Sequence, residues 1–271
     1  MNPSDLRMLA QDVGVPIQNI SMENITEIKD APQAQKKTSK HKKVVKIVED
    51  RVFKGPYGGD DHKLVKNLRY AYAIQILEVA LQLPEWLKGS LRWEYIGACN
   101  DNQYYLVAPN VGKHKNIPFE LANTKIETNV KVIPRGEAVK RVSDIEGTGL
   151  LTENIKSATL QHLYLRFLLD IGDSGTHHVL LRKDYISTGR LIAGIDLEEM
   201  RGNIYKESRL AHLFKRAPSK RQKYLYESDI CVIKSLSHGQ LEQLTLDRLG
   251  AVEVDLERLK ENMELWERLT K

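Results

Sequence analysis

The alternation of apolar and polar positions predicts strands early in the chain. Residues 43–54 alternate and are rich in β-branched side chains, which favours one or two strands. The Gly- and Pro-containing stretch 55–61 predicts a loop. Apolar side chains then recur at helical spacing over 62–83, so we expect a long helix there, with Asp60 or Asp61 as its N-cap.

Short strands follow this helix. Residues 91–99 and 103–108 are expected to pair, because the Asn-Asp-Asn sequence between them is a hairpin turn signal. A further helix is predicted over 152–170, and apolar runs at 179–181 and 191–195 suit short buried strands.

The chain from residue 236 onward is predicted to be helical. Its apolar residues recur at steps of three or four, which favours packing on the chain's own core over a coiled-coil partner. The order of elements predicts an α+β fold in three parts. These are a basic, flexible extension (1–43), a small β-rich domain (44–112) and a mostly helical domain with a C-terminal helix (113–271).

Composition indicates a globular protein, since 41% of residues are apolar and 28% charged. We find no apolar run of the about 20 residues that a transmembrane helix needs. The chain has 2 cysteines, far apart in sequence, which predicts neither a disulfide framework nor a zinc site. An intracellular setting is therefore expected.

The net charge of +5 is concentrated in two basic clusters, Lys36–Lys46 and Lys206–Lys223. Such clusters attract polyanions such as nucleic acid or acidic lipid headgroups. Solvated linkers have the same composition, and that alternative stays open.

Two acidic residues carry the chemistry that the sequence suggests. Asp173 follows the predicted helix 152–170, and Asp196 ends the short strand 191–195. This is the layout a kinase needs: the first carboxylate orients the acceptor hydroxyl, and the second holds Mg²⁺ against the phosphates of ATP. Alternatively, Asp173 caps a turn and Asp196 bonds to backbone at a strand end.

These motifs resemble the phosphatidylinositol 3- and 4-kinases and the related protein kinases. Residues 172–180 align without a gap with their catalytic loop, Gly-Asp-Arg-His-x-x-Asn-Ile-Leu, and residues 195–197 read Ile-Asp-Leu like their metal-binding motif. Upstream, residues 52–61 resemble their Phe-Lys…Gly-Asp-Asp segment. The resemblance implies a two-lobed protein-kinase-like fold with a small β-rich N-lobe and a mostly helical C-lobe.

The resemblance also implies site residues. Lys54 would contact the nucleotide phosphates, with Glu78 as its acidic partner by analogy with protein kinases. Pro109 and Asn110 fall where the family's hinge holds adenine, and His178 takes the position of its metal-binding Asn. Lys54 could equally be an exposed strand lysine.

The catalytic loop departs from the family in that Ser174 and Gly175 replace its Arg and His, and His178 replaces its Asn. One hypothesis is an ATP- and Mg²⁺-dependent phosphotransferase acting on a protein or a phosphoinositide. The alternative is a pseudokinase that serves as a binding or scaffold protein, associated with nucleic acid. The resemblance further suggests a viral origin, with a cytoplasmic or virion-associated location.

Overall fold

The structure of the chain, a computed structural model, belongs to the α+β class. It describes residues 3–21, 26–27, 44–48, 51–58, 61–99, 102–111, 141–142, 145, 151–171, 176–182, 184–197, 232–237, 239 and 241–270. They form two compact units, the first from residues 1–71 and 91–110 and the second from residues 72–90 and 111–271.

The first unit is built on a mixed sheet. Its strands are β1 (Ile17–Asn19), β2 (Thr26–Glu27), β3 (Val44–Val48), β4 (Arg51–Gly58), β5 (Tyr95–Cys99) and β6 (Gln103–Pro109). They lie in the order β1-β5-β6-β4-β3-β2, with β1 parallel to β5 and the other neighbours antiparallel. The strands predicted within 43–54, 91–99 and 103–108 are thereby confirmed, as is the hairpin between the last two.

Residues 3–21, within the predicted N-terminal extension, include a helix and a strand, and the flexibility of the extension stays a prediction. Helix α1 (Pro3–Asp12) buries Leu6 and Leu9, and Ile17 of β1 pairs with Ile96 of β5. Apart from β2, residues 22–43 lie outside the described part of the chain.

Strand β4 runs on through part of the stretch predicted to be a loop. Tyr57 pairs with Tyr104 and is fully buried, after a register shift that begins at Lys54. A shift of this kind lets a strand bend without leaving the sheet. A side chain at Gly55 would lie 2.8 Å from the Tyr104 carbonyl oxygen, so the close approach of the two strands explains that glycine.

Helix α2 (His62–Ala80) belongs to the first unit through Ala71 and to the second from Tyr72. The Lys63 amide donates to the Asp61 carboxylate at 2.8 Å, which confirms Asp61 as a cap. The helix ends before the predicted residue 83. Gln82 adopts a left-handed φ of 50°, and the Leu83 amide donates to the Glu78 carbonyl at 3.0 Å, as in a Schellman motif.

The second unit surrounds a helix that is buried on nearly all sides, α3 (Glu153–Leu168), whose N-cap is Thr152. The other elements are the 3₁₀ turns Glu85–Leu87 and Thr176–His178, β7 (Val179–Leu181), α4 (Tyr185–Thr188), β8 (Ile192–Gly194), α5 (Gln243–Ala251) and α6 (Leu256–Thr270). The predicted helix and both short strands are confirmed. The unit takes residues 72–90 as well, so the predicted boundaries at 44–112 and 113–271 do not match those of the two units.

Helix α6 packs on α3, as the C-terminal apolar pattern predicted. The ring of Trp266 lies 4.5 Å from that of Tyr164, and its indole N–H donates to Ser235 at 2.9 Å. The Asn262 amide donates to the Phe167 and Leu168 carbonyls near the end of α3. Among the described helices, none is both long enough and apolar enough to cross a membrane.

Candidate functional site

A two-stranded hairpin brings together two residues that are 18 positions apart in sequence. Strand β7 pairs antiparallel with β8, with Val179 opposite Gly194. One step further along, the Ile195 amide donates to the His178 carbonyl at 2.8 Å. His178 therefore precedes one strand and Asp196 follows the other, at the same end of the hairpin.

The two side chains meet at this end. His178 Nδ1 lies 3.2 Å from Asp196 Oδ2. The Asp196 side chain is 39% exposed and that of His178 is 12% exposed, so the carboxylate has the greater access to solvent. The other ring nitrogen, Nε2, is shielded from solvent. Nδ1 is thus the ring nitrogen that faces the Asp196 carboxylate.

A buried arginine fixes the backbone on which Asp196 sits. Arg166, on the last turn of α3, is fully buried and donates to the Ile195 carbonyl at 2.8 Å and to the Asp196 carbonyl at 3.0 Å. Asp196 has a left-handed φ of 55°, which costs a non-glycine residue about 1–2 kcal/mol. Charged hydrogen bonds of this kind hold a strained residue in place, and such residues often belong to functional sites.

The sequence-predicted metal residues Asp196 and His178 are thus neighbours in the structure. Within the described part of the chain, no group of three or more His, Cys, Asp or Glu side chains converges. Mg²⁺ typically takes only one or two protein ligands when it binds with a nucleotide, and water and phosphate oxygens supply the rest. The pair supplies one carboxylate of this kind, whereas its other group is an imidazole, a poor ligand for Mg²⁺, and its metal-binding role stays a prediction.

Asp173, the predicted catalytic residue, lies outside the described residues. So do the basic cluster Lys206–Lys223 and most of Lys36–Lys46. Lys54, Pro109 and Asn110 belong to the first unit.

In the first unit, Lys54 pairs with the buried Leu106 across β4 and β6. Because side chains alternate along a strand, Lys54 lies on the face opposite Phe53, whose side chain packs in a cluster with Tyr105 and Val107. The nucleotide-binding role of Lys54, Pro109 and Asn110 stays a prediction.

Glu78 makes hydrogen bonds that serve the fold of the second unit. Its carboxylate accepts from the amides of Gly89 and Ser90, both at 2.8 Å, and from the Ser90 hydroxyl at 2.5 Å. Burial raises the pKa of this carboxyl, and the hydrogen bonds from Ser90 and Gly89 oppose that rise. These contacts tie α2 to the segment 89–90, and the nucleotide-binding role assigned to Glu78 stays a prediction.

The structure also reveals a buried histidine that the sequence did not single out. His162 of α3 is fully buried, and neither ring nitrogen has a hydrogen-bond partner among the described residues. Its ring packs against the backbone of Gly89 and Gly194 so closely that a side chain at either glycine would overlap it. Burial, aided by the charge of Arg166, lowers the pKa of His162 from 6.5 to about 3. The two glycines, one of them the last residue of β8, were the sequence signals for this contact.

Comparisons with family models, characterised proteins and solved structures return no match for this chain.

Proposed function

We propose that the chain is a phosphotransferase of the phosphatidylinositol-kinase-like type, using ATP and a divalent cation and acting on a protein or an inositol lipid. The observation that carries this proposal is the His178–Asp196 pair, 3.2 Å apart at one end of the β7–β8 hairpin. The pair is partly open to solvent and sits on backbone that Arg166 holds.

The order of elements supports a two-lobed kinase-like fold as part of the proposal. A mixed sheet carries Lys54, a helix follows strand β4, and the second unit contains a buried helix before the hairpin that ends in Asp196. This order, with a lysine on an early strand and an aspartate after a late one, is also the order in protein kinases, and it supports the proposal.

Each charged residue would have a separate role in binding the nucleotide and transferring phosphate. The divalent cation, when bound, would offset the negative charge of the phosphates. Asp196 and His178 would hold it, and Lys54 would bind the phosphates directly. Asp173 would accept the proton of the acceptor hydroxyl. Basic residues in Lys206–Lys223 would suit a phosphoinositide headgroup or an acidic protein.

Thermal unfolding with ATP in Mg²⁺ or Mn²⁺ tests the nucleotide site. A ligand at about 100 times its Kd stabilises the folded state by about 2.7 kcal/mol, so the melting temperature should rise by several degrees. The rise should vanish in Lys54→Ala and Asp196→Asn. It should persist in Lys260→Ala and Asp247→Asn, which change exposed groups on α6 and α5.

No shift with either cation would contradict the proposal. If a shift is found, transfer of labelled γ-phosphate to phosphoinositides and to a mixture of protein substrates tests catalysis. Turnover that is lost in Asp173→Asn while the thermal shift is retained would support the role assigned to Asp173.

A specific observation favours a second candidate, a nucleotide-binding scaffold without turnover. The side chain that meets Asp196 is an imidazole where the resembled kinases have an amide, and imidazole is a poor ligand for Mg²⁺. In that case Mg-ATP or Mn-ATP would still stabilise the chain, but no phosphate would be transferred. Salt-sensitive binding to DNA or RNA would identify nucleic acid as its partner.

A further inference from the structure

We propose that the His178–Asp196 pair makes this chain select a first-row transition-metal dication, with Mn²⁺ as the probe, over Mg²⁺. The inference rests on the proposed function, because it concerns the cation that accompanies the nucleotide. It is carried by the distance, the access and the chemistry of the two side chains.

The distance fits two ligands on one ion. Two atoms that each lie about 2.1 Å from an octahedral cation, at adjacent corners, are about 3.0 Å apart. His178 Nδ1 and Asp196 Oδ2 are 3.2 Å apart. A cation could therefore lie between them after small side-chain rotations, without movement of the backbone.

Access determines which atoms a cation meets. Asp196 has the more exposed side chain, and the shielded position of Nε2 leaves Nδ1 as the ring nitrogen on the ligand side. Ligation through Nδ1 uses the lone pair of that nitrogen, so the ring proton then lies on Nε2. The site accordingly offers one nitrogen and one carboxylate oxygen.

The positive charge behind the site influences when a cation binds. Arg166 donates to the Asp196 carbonyl at 3.0 Å, and this fixed cation repels a bare metal ion. The negative charge of nucleotide phosphates bound to the metal offsets this repulsion. We therefore expect tight cation binding only in the presence of the nucleotide.

Ligand type then sets the selectivity. Mg²⁺ strongly prefers oxygen ligands and gives up water reluctantly, whereas transition-metal dications accept imidazole nitrogen together with carboxylate and phosphate oxygen. A histidine at this position lowers the affinity of the site for Mg²⁺ relative to a site with oxygen ligands only. His178→Asn, which restores an amide oxygen, should shift the preference back toward Mg²⁺.

Two measurements on the full chain test this. The first is the Kd of a non-hydrolysable ATP analogue in Mg²⁺ and in Mn²⁺, for the wild type and His178→Asn. The second is electron spin-echo envelope modulation of Mn²⁺ bound together with the analogue, which detects nitrogen atoms coordinated to the ion. The protein is labelled with ¹⁵N at histidine only, so that a histidine nitrogen is distinguished from the nitrogens of adenine. His178→Gln serves as a second variant should His178→Asn fail to fold.

We expect the analogue to bind about tenfold more tightly in Mn²⁺ than in Mg²⁺, with a ¹⁵N coupling in the Mn²⁺ spectrum. In His178→Asn the coupling should disappear and the two Kd values should differ by no more than about twofold. Equal binding in both cations without a ¹⁵N coupling would overturn the selectivity and leave the proposed function standing. No binding of the analogue in either cation would overturn both.

Discussion

His162 makes the stability of the second unit sensitive to acid. The ring is buried on α3 without a hydrogen-bond partner among the described residues, and burial lowers its pKa from 6.5 to about 3. Protonation would place a second positive charge one helical turn from the buried Arg166. The folded chain therefore keeps this imidazole neutral in mildly acidic solution.

The sign and size of the effect follow from the two pKa values. Above pH 6.5 the ring is neutral in both folded and unfolded chains, so it has no influence on stability. Below pH 6.5 the unfolded chain binds a proton that the folded chain does not. The free energy of unfolding then falls by about 1.4 kcal/mol per pH unit, until the pH nears the folded value of about 3. Going from pH 7.5 to 5.0 should thus remove about 2 kcal/mol.

Urea unfolding followed by circular dichroism at pH 7.5 and pH 5.0 measures this loss. The comparison is between the wild type and His162→Met, which fills a similar volume with a neutral, adaptable side chain. Other titrating groups are common to both proteins, so the wild type should lose about 2 kcal/mol more than the variant. His62→Gln, which changes an exposed histidine on α2, is measured beside them as a matched control. Equal pH dependence in the wild type and His162→Met would refute the reasoning.

Substitutions at Gly194, Glu78 and Trp266 probe packing in the second unit. Gly194→Ala should lower the free energy of unfolding by about 2–4 kcal/mol, because the new methyl group overlaps His162. In a double-mutant cycle, His162→Ala in the same chain should recover part of this lost stability. Glu78→Ala should lower the free energy of unfolding by about 3 kcal/mol, since it leaves the buried donors of Gly89 and Ser90 without the carboxylate, whereas Glu78→Gln should retain most of the stability. Trp266→Ala should remove about 3–5 kcal/mol by opening a cavity against α3, measured by the same urea titration.

Long periodic elements were predictable from the sequence for a physical reason. Helices α2 and α3 have apolar residues at a spacing that only a helix can bury on one side, whereas the short strands β7 and β8 were predicted from apolar runs without periodicity. Helix α1 was missed because the polar residues that follow it suggested an extension. Yet Leu9 and Ala10 follow Leu6 by three and four positions, and the three residues form its buried face.

The local sequence did not predict where strand β4 and helix α2 end. The Gly-Pro step at Gly55 suggested a loop, but β6 provides partners that keep β4 in the sheet as far as Gly58. The end of α2 depended on a left-handed Gln82, a position at which glycine is the usual signal.

The candidate site was predictable in part. Asp196 and His178 were singled out, because a resemblance to kinase motifs depends on chemistry and spacing. Arg166 was not, since an arginine in the last turn of a helix is usually a surface residue that interacts with the helix dipole. Its acceptors are backbone carbonyl groups 29 and 30 positions away, and because every residue has a carbonyl, the sequence does not indicate which ones accept.

The proposed function requires the Asp196 carboxylate to bind the cation of a nucleotide complex. Calorimetric titration of a non-hydrolysable ATP analogue, with Mn²⁺ and then with excess chelator, measures this directly in the wild type and Asp196→Asn. We expect binding that requires the cation, weakened at least about tenfold in Asp196→Asn and unchanged in Asp247→Asn. Binding of equal strength in the wild type and Asp196→Asn, or none in the wild type, would contradict it.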